Sequence, residues 1–197
     1  VTQGDFNSRI AHFLISRLSP GKTASINITY KLIVYPITAN FSAFNGAAGI
    51  PVTETSFLQP APNIESNHPQ IVAKAEEVIS GAGDDLEKAR AIYQFVQRHM
   101  RYNPNSACRN QGALTALREK VGVCEDYAAL FVALCRAADI PARQVNGYAD
   151  PKGTGQCWNE LAQAFPLRGY RHSWAEFYLP GAGWLPADPT MNISTQD

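Results

Sequence analysis

The spacing of apolar and polar positions changes period along the chain, and each change marks an element. Residues 10–16, Ile-Ala-His-Phe-Leu-Ile-Ser, read as a short strand, and Ser19-Pro-Gly-Lys22 is a turn signal. Between 25 and 34 the pattern alternates. Ile26, Ile28, Tyr30, Leu32 and Val34 share one face, and Asn27, Thr29 and Lys31 take the other, as in a half-buried strand. The spacing therefore predicts a β-hairpin over residues 10–35. A lone hairpin is marginal in water, so this one is expected to pack on the main domain or to belong to a β-domain that continues upstream. Residues 36–66 carry Pro, Gly, Ala and Asn without period and read as connector.

From residue 67 the period becomes helical. Asn67-His-Pro69 opens a helix with Pro at its first position; Ile71, Val72, Ala75, Val78 and Ile79 form its apolar face, and Gly81 ends it. Asp84-Asp-Leu-Glu87 is a capping-box pattern, and the helix after it runs to about Met100 with Leu86, Ala89, Ile92, Tyr93 and Val96 inward. A short helix is expected over 113–120. The strongest signal runs from Val121 to Pro141: apolar or small residues at 124, 127, 128, 131, 135 and 138 make one continuous face. Leu130, Val132 and Leu134 make the opposite face apolar too, and a helix apolar all round is buried in the middle of a domain. Residues 142–148 and 171–178 then read as strands. Pro180-Gly181 is a type II turn signal, and residues 183–188 return as the partner strand, ended by Pro189. The stretch 149–170 is a long polar loop of the kind that is functional or mobile in a compact domain.

Composition narrows the classes. At 197 residues the chain holds one good core or one domain with an appendage. We expect an N-terminal hairpin and connector over 1–60 and a catalytic domain over 61–197. Lys+Arg and Asp+Glu are 17 each, so no basic field for nucleic acid is present, and no apolar run approaches a membrane span. The first residue is Val, with no leader pattern behind it, which leaves a periplasmic or secreted protein and a cytoplasmic one equally open. Cys108, Cys124, Cys135 and Cys157 form no Cys-x-x-Cys pair, so a zinc ribbon and a thioredoxin-like site are excluded. Cys135 is expected in the core; Cys108 and Cys157 could pair in an exported protein or stand as separate loop thiols. No cofactor and no metal are expected.

The chemistry lies in three residues. Cys124 falls in the first turn of the central helix, where unpaired N–H groups and the dipole favour a thiolate. Glu125 and Asp126 oppose this, although exposed side chains there are screened. A hairpin centred on Pro180 sets His172 opposite Asp188, close enough for a hydrogen bond that fixes the imidazole and supports its charged form. If the sheet lies against the start of the helix, His172 is the cation that Cys124 needs, and the thiol is expected to titrate well below its free value. Zinc could also bind Cys124, His172 and Asp188, but no dedicated fourth ligand is evident.

Five blocks are familiar in this order: Gly-Val-Cys-Glu-Asp-Tyr-Ala (122–128), Ile-Pro-Ala-Arg (140–143), Gly-Tyr (147–148), His-Ser-Trp-Ala-Glu (172–176) and Gly-Trp-Leu-Pro-Ala-Asp-Pro-Thr (183–190). Together they resemble the transglutaminase-like superfamily over roughly residues 65–190, and its prokaryotic branch of candidate cysteine proteases most. The resemblance implies a papain-like α+β fold, with a helical part carrying Cys124 packed on an antiparallel sheet that carries His172 and Asp188. It implies a Cys124–His172–Asp188 triad performing acyl transfer through a thioester, with peptide or protein amides as substrate and hydrolysis favoured over transamidation. It also implies an aromatic oxyanion donor upstream of the nucleophile, a position that Tyr102 matches across a loose stretch. The sequence departs from the family's usual pattern at Asp139, where Gly is common. No calcium-binding acidic cluster is visible. A non-catalytic module that retains the fold is the rival from another class; such modules commonly lose the nucleophile, which this chain keeps. Trp174 and Trp184 are expected to serve packing, and Glu176 to be solvated.

Overall fold

The structure, a computed structural model, describes residues 2–3, 9–15, 17–28, 41, 44, 49–149 and 170–191. The chain divides into two compact units, Val1–Pro36 and Ile37–Asp197. In the first, β1 (Thr2–Gln3) pairs antiparallel with β2 (Arg9–Ile10). The turn at Ser19 forms as expected: the Lys22 N–H donates to the Ser19 carbonyl at 3.0 Å, with Gly21 at a φ of 78°. The hairpin expected over 10–35 does not form among the described residues. Of its first strand only Ile10 lies in a strand, and residues 11–15 and 17–28 lie in none; residues 29–35 fall outside the described residues. Alternation makes a strand only where something covers the apolar face, and here Ile26 and Ile28 stay 47% and 51% exposed.

The second unit begins its order with a 3₁₀ segment, Val52–Leu58, followed by α1 (Pro69–Val78) and α2 (Asp85–His99). Next come β3 (Arg101–Tyr102), α3 (Ala113–Glu119), β4 (Val121–Gly122) and α4 (Cys124–Ala137). The chain closes on β5 (Ala142–Tyr148), β6 (Arg171–Leu179) and β7 (Gly183–Ala187), an antiparallel sheet in the order β5-β6-β7. The helices start where the sequence caps them. The His68 ring accepts the Gln70 N–H ahead of Pro69, and the Asp84 carboxylate accepts the Glu87 N–H at 2.8 Å.

The central helix is α4. Helices α1, α2 and α3 and strands β5 and β6 all pack on it. Leu130, Phe131, Val132, Leu134 and Cys135 are all fully buried, which is why the sequence is apolar on both faces. Each large side chain contributes roughly 1.5–3 kcal/mol by leaving water. The helix ends in a Schellman turn: the Ile140 N–H donates to the Cys135 carbonyl at 2.9 Å, and Asp139 takes the left-handed conformation at φ 62°. That explains why glycine is usual there and how aspartate, which tolerates this region, replaces it.

The β6–β7 hairpin sets the register that matters most. Leu179 faces Gly183, and Pro180-Gly181 forms the expected turn with the Ala182 N–H donating to the Leu179 carbonyl. The loop is thus centred on Gly181, one residue later than expected, so Ala175 faces Ala187 and each partner shifts by two. A shift of two keeps every side chain on its face. On the sheet, Arg143 and Glu176 face each other and form an ion pair at 2.7 Å; the guanidinium also stacks on Trp184 at 4.1 Å. Glu176 is therefore paired rather than solvated, and Trp184 serves packing, bound through its Nε1–H to Glu54 in the 3₁₀ segment. No helix of the described residues is long and apolar enough to cross a membrane.

Candidate active site

Cys124 occupies the first residue of α4 and is 7% exposed. The turn that carries it is built around Asp126, three residues past the N-cap Val123. One Asp126 oxygen accepts the Val123 N–H at 2.9 Å and the other the Gln111 N–H at 3.3 Å. Asp126 is 1% exposed, so the expectation that it is a screened surface charge is corrected. Its carboxylate is consumed by two backbone donors, of which the Val123 N–H would otherwise be buried unpaired. A Cβ at Gly122 would lie 2.5 Å from an Asp126 oxygen, which is why this position is glycine.

The other acidic neighbour behaves differently. The Cys124 thiol donates to the Glu125 Oε2 at 3.1 Å. Burial, and next this hydrogen bond, push the thiol up to about 11; the charge of Glu125 adds to the rise, while the backbone N–H groups of Ser173 and Glu125 pull down. The expected low-titrating thiolate is thus not the resting form. The helix terminus is present, but the nearest strong partner is an anion. At neutral pH the sulfur carries its proton.

His172 lies on β6 opposite Gly147 of β5. A Cβ at Gly147 would stand 2.7 Å from the Trp174 ring, so glycine there lets the indole lie across the strand beside the imidazole. Asp188 follows the last residue of β7. The two are not directly opposite, as the sequence had suggested, because of the later turn; they meet diagonally on one face. The His172 Nε2 bonds to the Asp188 Oδ2 at 2.5 Å, with the imidazole N–H donating to the carboxylate oxygen. The other carboxylate oxygen accepts the Thr190 N–H at 3.0 Å and its hydroxyl at 2.5 Å. The Nδ1 atom remains for a further partner. Strand β6 packs on α4, and the backbone N–H of the next residue, Ser173, is near enough to the Cys124 sulfur to pull its pKa down.

Tyr102 is brought to the same place by a pairing the sequence does not reveal. Strands β3 and β4 run parallel, with Tyr102 beside Gly122, two residues before the thiol. The Tyr102 hydroxyl is held above its ordinary value by burial, then by Cys124 and Glu125, which places it within electrostatic reach of both. The residue is still 53% exposed and open to a ligand. A cleft of about 430 Å³ opens beside these groups, lined by Glu125, Gln144, Asn146, Tyr148, Arg171 and His172 among others. No cluster of metal-ligating side chains occurs among the described residues. Cys135 is a fully buried core residue and Cys108 a free thiol; Cys157 lies outside the described residues.

Sequence reasoning names Glu125 as opposing the thiolate but takes it as screened and misses its hydrogen bond to the thiol; it also misses the supports of Asp188. The Asp-Pro-Thr order is a signal for Thr190, since a hydroxyl two residues beyond an aspartate can close on it. An inward tyrosine such as Tyr93 needs a partner for its hydroxyl, and that need could have pointed to a second support.

Comparison with known proteins fits this geometry. Residues 72–189 match the Transglutaminase-like superfamily. A human protein named Kyphoscoliosis peptidase is 30% identical over 150 residues, covering 71% of this chain and 22% of that one. A Pseudomonas aeruginosa protein-glutamine gamma-glutamyltransferase is 35% identical over 75 residues, covering 38% of this chain and 11% of that one. Among solved structures, a candidate cysteine protease from Cytophaga hutchinsonii superposes with a TM-score of 0.59 at 25% identity, covering 75% of this chain and 45% of that chain. The chain spans 38% or less of the curated relatives it matches. With its helical layer, its antiparallel sheet and a family match over more than half its length, this chain belongs to the transglutaminase-like superfamily.

Proposed function

We propose that the chain is a thiol-dependent acyl transferase on amide bonds, working through Cys124, His172 and Asp188, and that water is its ordinary acceptor. The observation that carries this reading is the 2.5 Å bond between His172 Nε2 and Asp188 Oδ2. It turns the imidazole so that Nδ1 is the nitrogen left for the sulfur, on a strand whose next amide lowers the pKa of that sulfur. A proton leaves the Cys124 sulfur for His172, and Asp188 supports the imidazolium. The thiolate attacks the amide carbonyl carbon. The oxyanion is met by the Cys124 backbone N–H and the Tyr102 hydroxyl. Collapse breaks the C–N bond, His172 hands its proton to the leaving amine, and a thioester remains. Water then attacks while His172 takes its proton, and the thiolate leaves. An amine in the place of water gives transamidation by the same steps.

The peptidase and protease names among the relatives favour hydrolysis, and the glutamyltransferase name keeps the amine route in view. Casein offers peptide bonds and glutamine side chains together, and monodansylcadaverine offers an amine. New N-termini report hydrolysis, and fluorescence joined to casein reports transamidation. Cys124→Ala should abolish either signal with the fold intact, because a small side chain replaces a small one. Turnover retained in that variant overturns the mechanism. A second reading, a non-catalytic module, draws on the protonated thiol held by Glu125. Under that reading casein leaves no acyl group on Cys124; under ours a quenched reaction carries a thioester on that residue, seen by mass spectrometry.

A further inference from the structure

The β7 ladder stops at Ala187, one residue before the carboxylate. Asp188 is therefore not held by the sheet that delivers it. Residues 188–191 form a turn closed by the Met191 N–H donating to the Asp188 carbonyl at 3.1 Å. This turn is gripped from α2. The Tyr93 hydroxyl donates to the Asp188 carbonyl at 2.9 Å and also lies 3.2 Å from the Met191 carbonyl. Gln97, one helical turn on and so on the same face, directs its Nε2 to the Met191 carbonyl and, at 3.3 Å, to the Tyr93 oxygen. The Tyr93 ring itself is anchored edge-on against Phe131 of α4, 6.3 Å between centroids. An element some 95 residues away in sequence thus fixes the backbone of the residue that orients His172.

We propose that Tyr93 and Gln97 are positioning residues for the His172–Asp188 pair. The inference deepens the reading above and rests on it. The Asp188 side chain has a fixed partner on each oxygen, His172 on one and Thr190 on the other, so its aim depends on where its backbone stands. The two backbone acceptors that locate this turn, at Asp188 and Met191, are both met by α2. Releasing them lets the turn drift relative to β6, and a displacement of about 1 Å at a reacting group can cost on the order of 10²-fold. A purely structural tie between α2 and the chain beyond β7 would instead be felt in thermal stability alone.

The test compares wild type, Tyr93→Phe, Gln97→Ala and Asp188→Asn by two readouts that need no substrate. One is the downfield proton resonance of the imidazole N–H bound to a carboxylate. The other is the rate of Cys124 alkylation by iodoacetamide at neutral pH, read by mass spectrometry. Tyr93→Phe keeps the ring against Phe131 and removes only the donor, so the variant should fold. We expect it to broaden or lose the resonance and to slow alkylation about tenfold, one unit of thiol pKa. Gln97→Ala should do the same to a smaller degree. If both variants keep the resonance and the wild-type alkylation rate while Asp188→Asn loses both, the triad stands and the positioning role is overturned, whatever happens to Tm. If Asp188→Asn itself alkylates like wild type, the triad reading fails first and takes this inference with it.

Discussion

The two ends of the proposed proton path are held in opposite ways. At one end Asp188 is fixed by a ring of partners: His172 on one oxygen, the Thr190 N–H and hydroxyl on the other, and the Tyr93 hydroxyl and Met191 N–H on its carbonyl. At the other end the Cys124 sulfur has one side-chain partner, Glu125, at 3.1 Å. Glu125 is half-buried and lines the cleft. The adjacent Asp126 shows what a locked carboxylate in the same turn looks like: it is buried and bound to two backbone N–H groups. Under the proposed mechanism the contrast means that the acid–base half of the site is built in advance, while the nucleophile half changes partner. A thiol at about 11 carries its proton at rest, and on the proposed path it becomes a nucleophile when that proton passes to His172.

Breaking the fixed half should have the largest effect. Asp188→Asn retains a hydrogen bond to His172 but removes the charge behind the imidazolium, and triad hydrolases lose ~10⁴ in rate on such a change. Release of new N-termini from casein checks this; a rate within a few-fold of wild type would make Asp188 structural and erase the contrast. Tyr102→Phe acts on neither end but on the carbonyl between them. Loss of one oxyanion donor should lower kcat by ~10²–10³ and leave KM nearly unchanged. An unchanged kcat would return Tyr102 to a packing partner of Tyr127, whose ring lies 6.2 Å away.

What the sequence makes legible divides along physical lines. Helix α4 is readable because burial on both faces leaves no polar period, and its ends are marked by local backbone chemistry at Gly122 and Asp139. The His172–Asp188 pair is readable because hairpin geometry is local, although the loop is centred one residue late. That error is harmless only because the register moved by two. The hairpin expected over 10–35 is absent among the described residues because alternation says which face could be buried, not what would bury it. Tyr102 beside Gly122 and Tyr93 on the Asp188 carbonyl depend on tertiary pairing across the chain, which no window of sequence contains. The state of the thiol is the clearest case. Dipole and imidazole both argue for a low value; burial, and next the hydrogen bond to one adjacent carboxylate whose rotamer is invisible in sequence, reverse the sign.

The smallest expected effect tests that reversal directly. Burial is the largest cause of the raised thiol, and Glu125 follows through its hydrogen bond and its charge. In Glu125→Gln the burial remains and the charge goes. The amide can still accept the S–H, but it can also turn its N–H toward a thiolate, which the carboxylate cannot do. The thiol should therefore fall from about 11, by about one unit, without reaching its free value of ~8.5. Because the thiolate is the reactive form, the alkylation profile should move to lower pH, and at neutral pH Cys124 should react about tenfold faster than in wild type. Iodoacetamide rates across pH 6–10, read on the peptide carrying Cys124, decide it. A faster thiol with unchanged His172–Asp188 resonance would sharpen the contrast between a locked half and a switchable one. Superimposable profiles would mean that burial alone holds the proton, that Glu125 restrains nothing, and that both halves of the site are equally fixed.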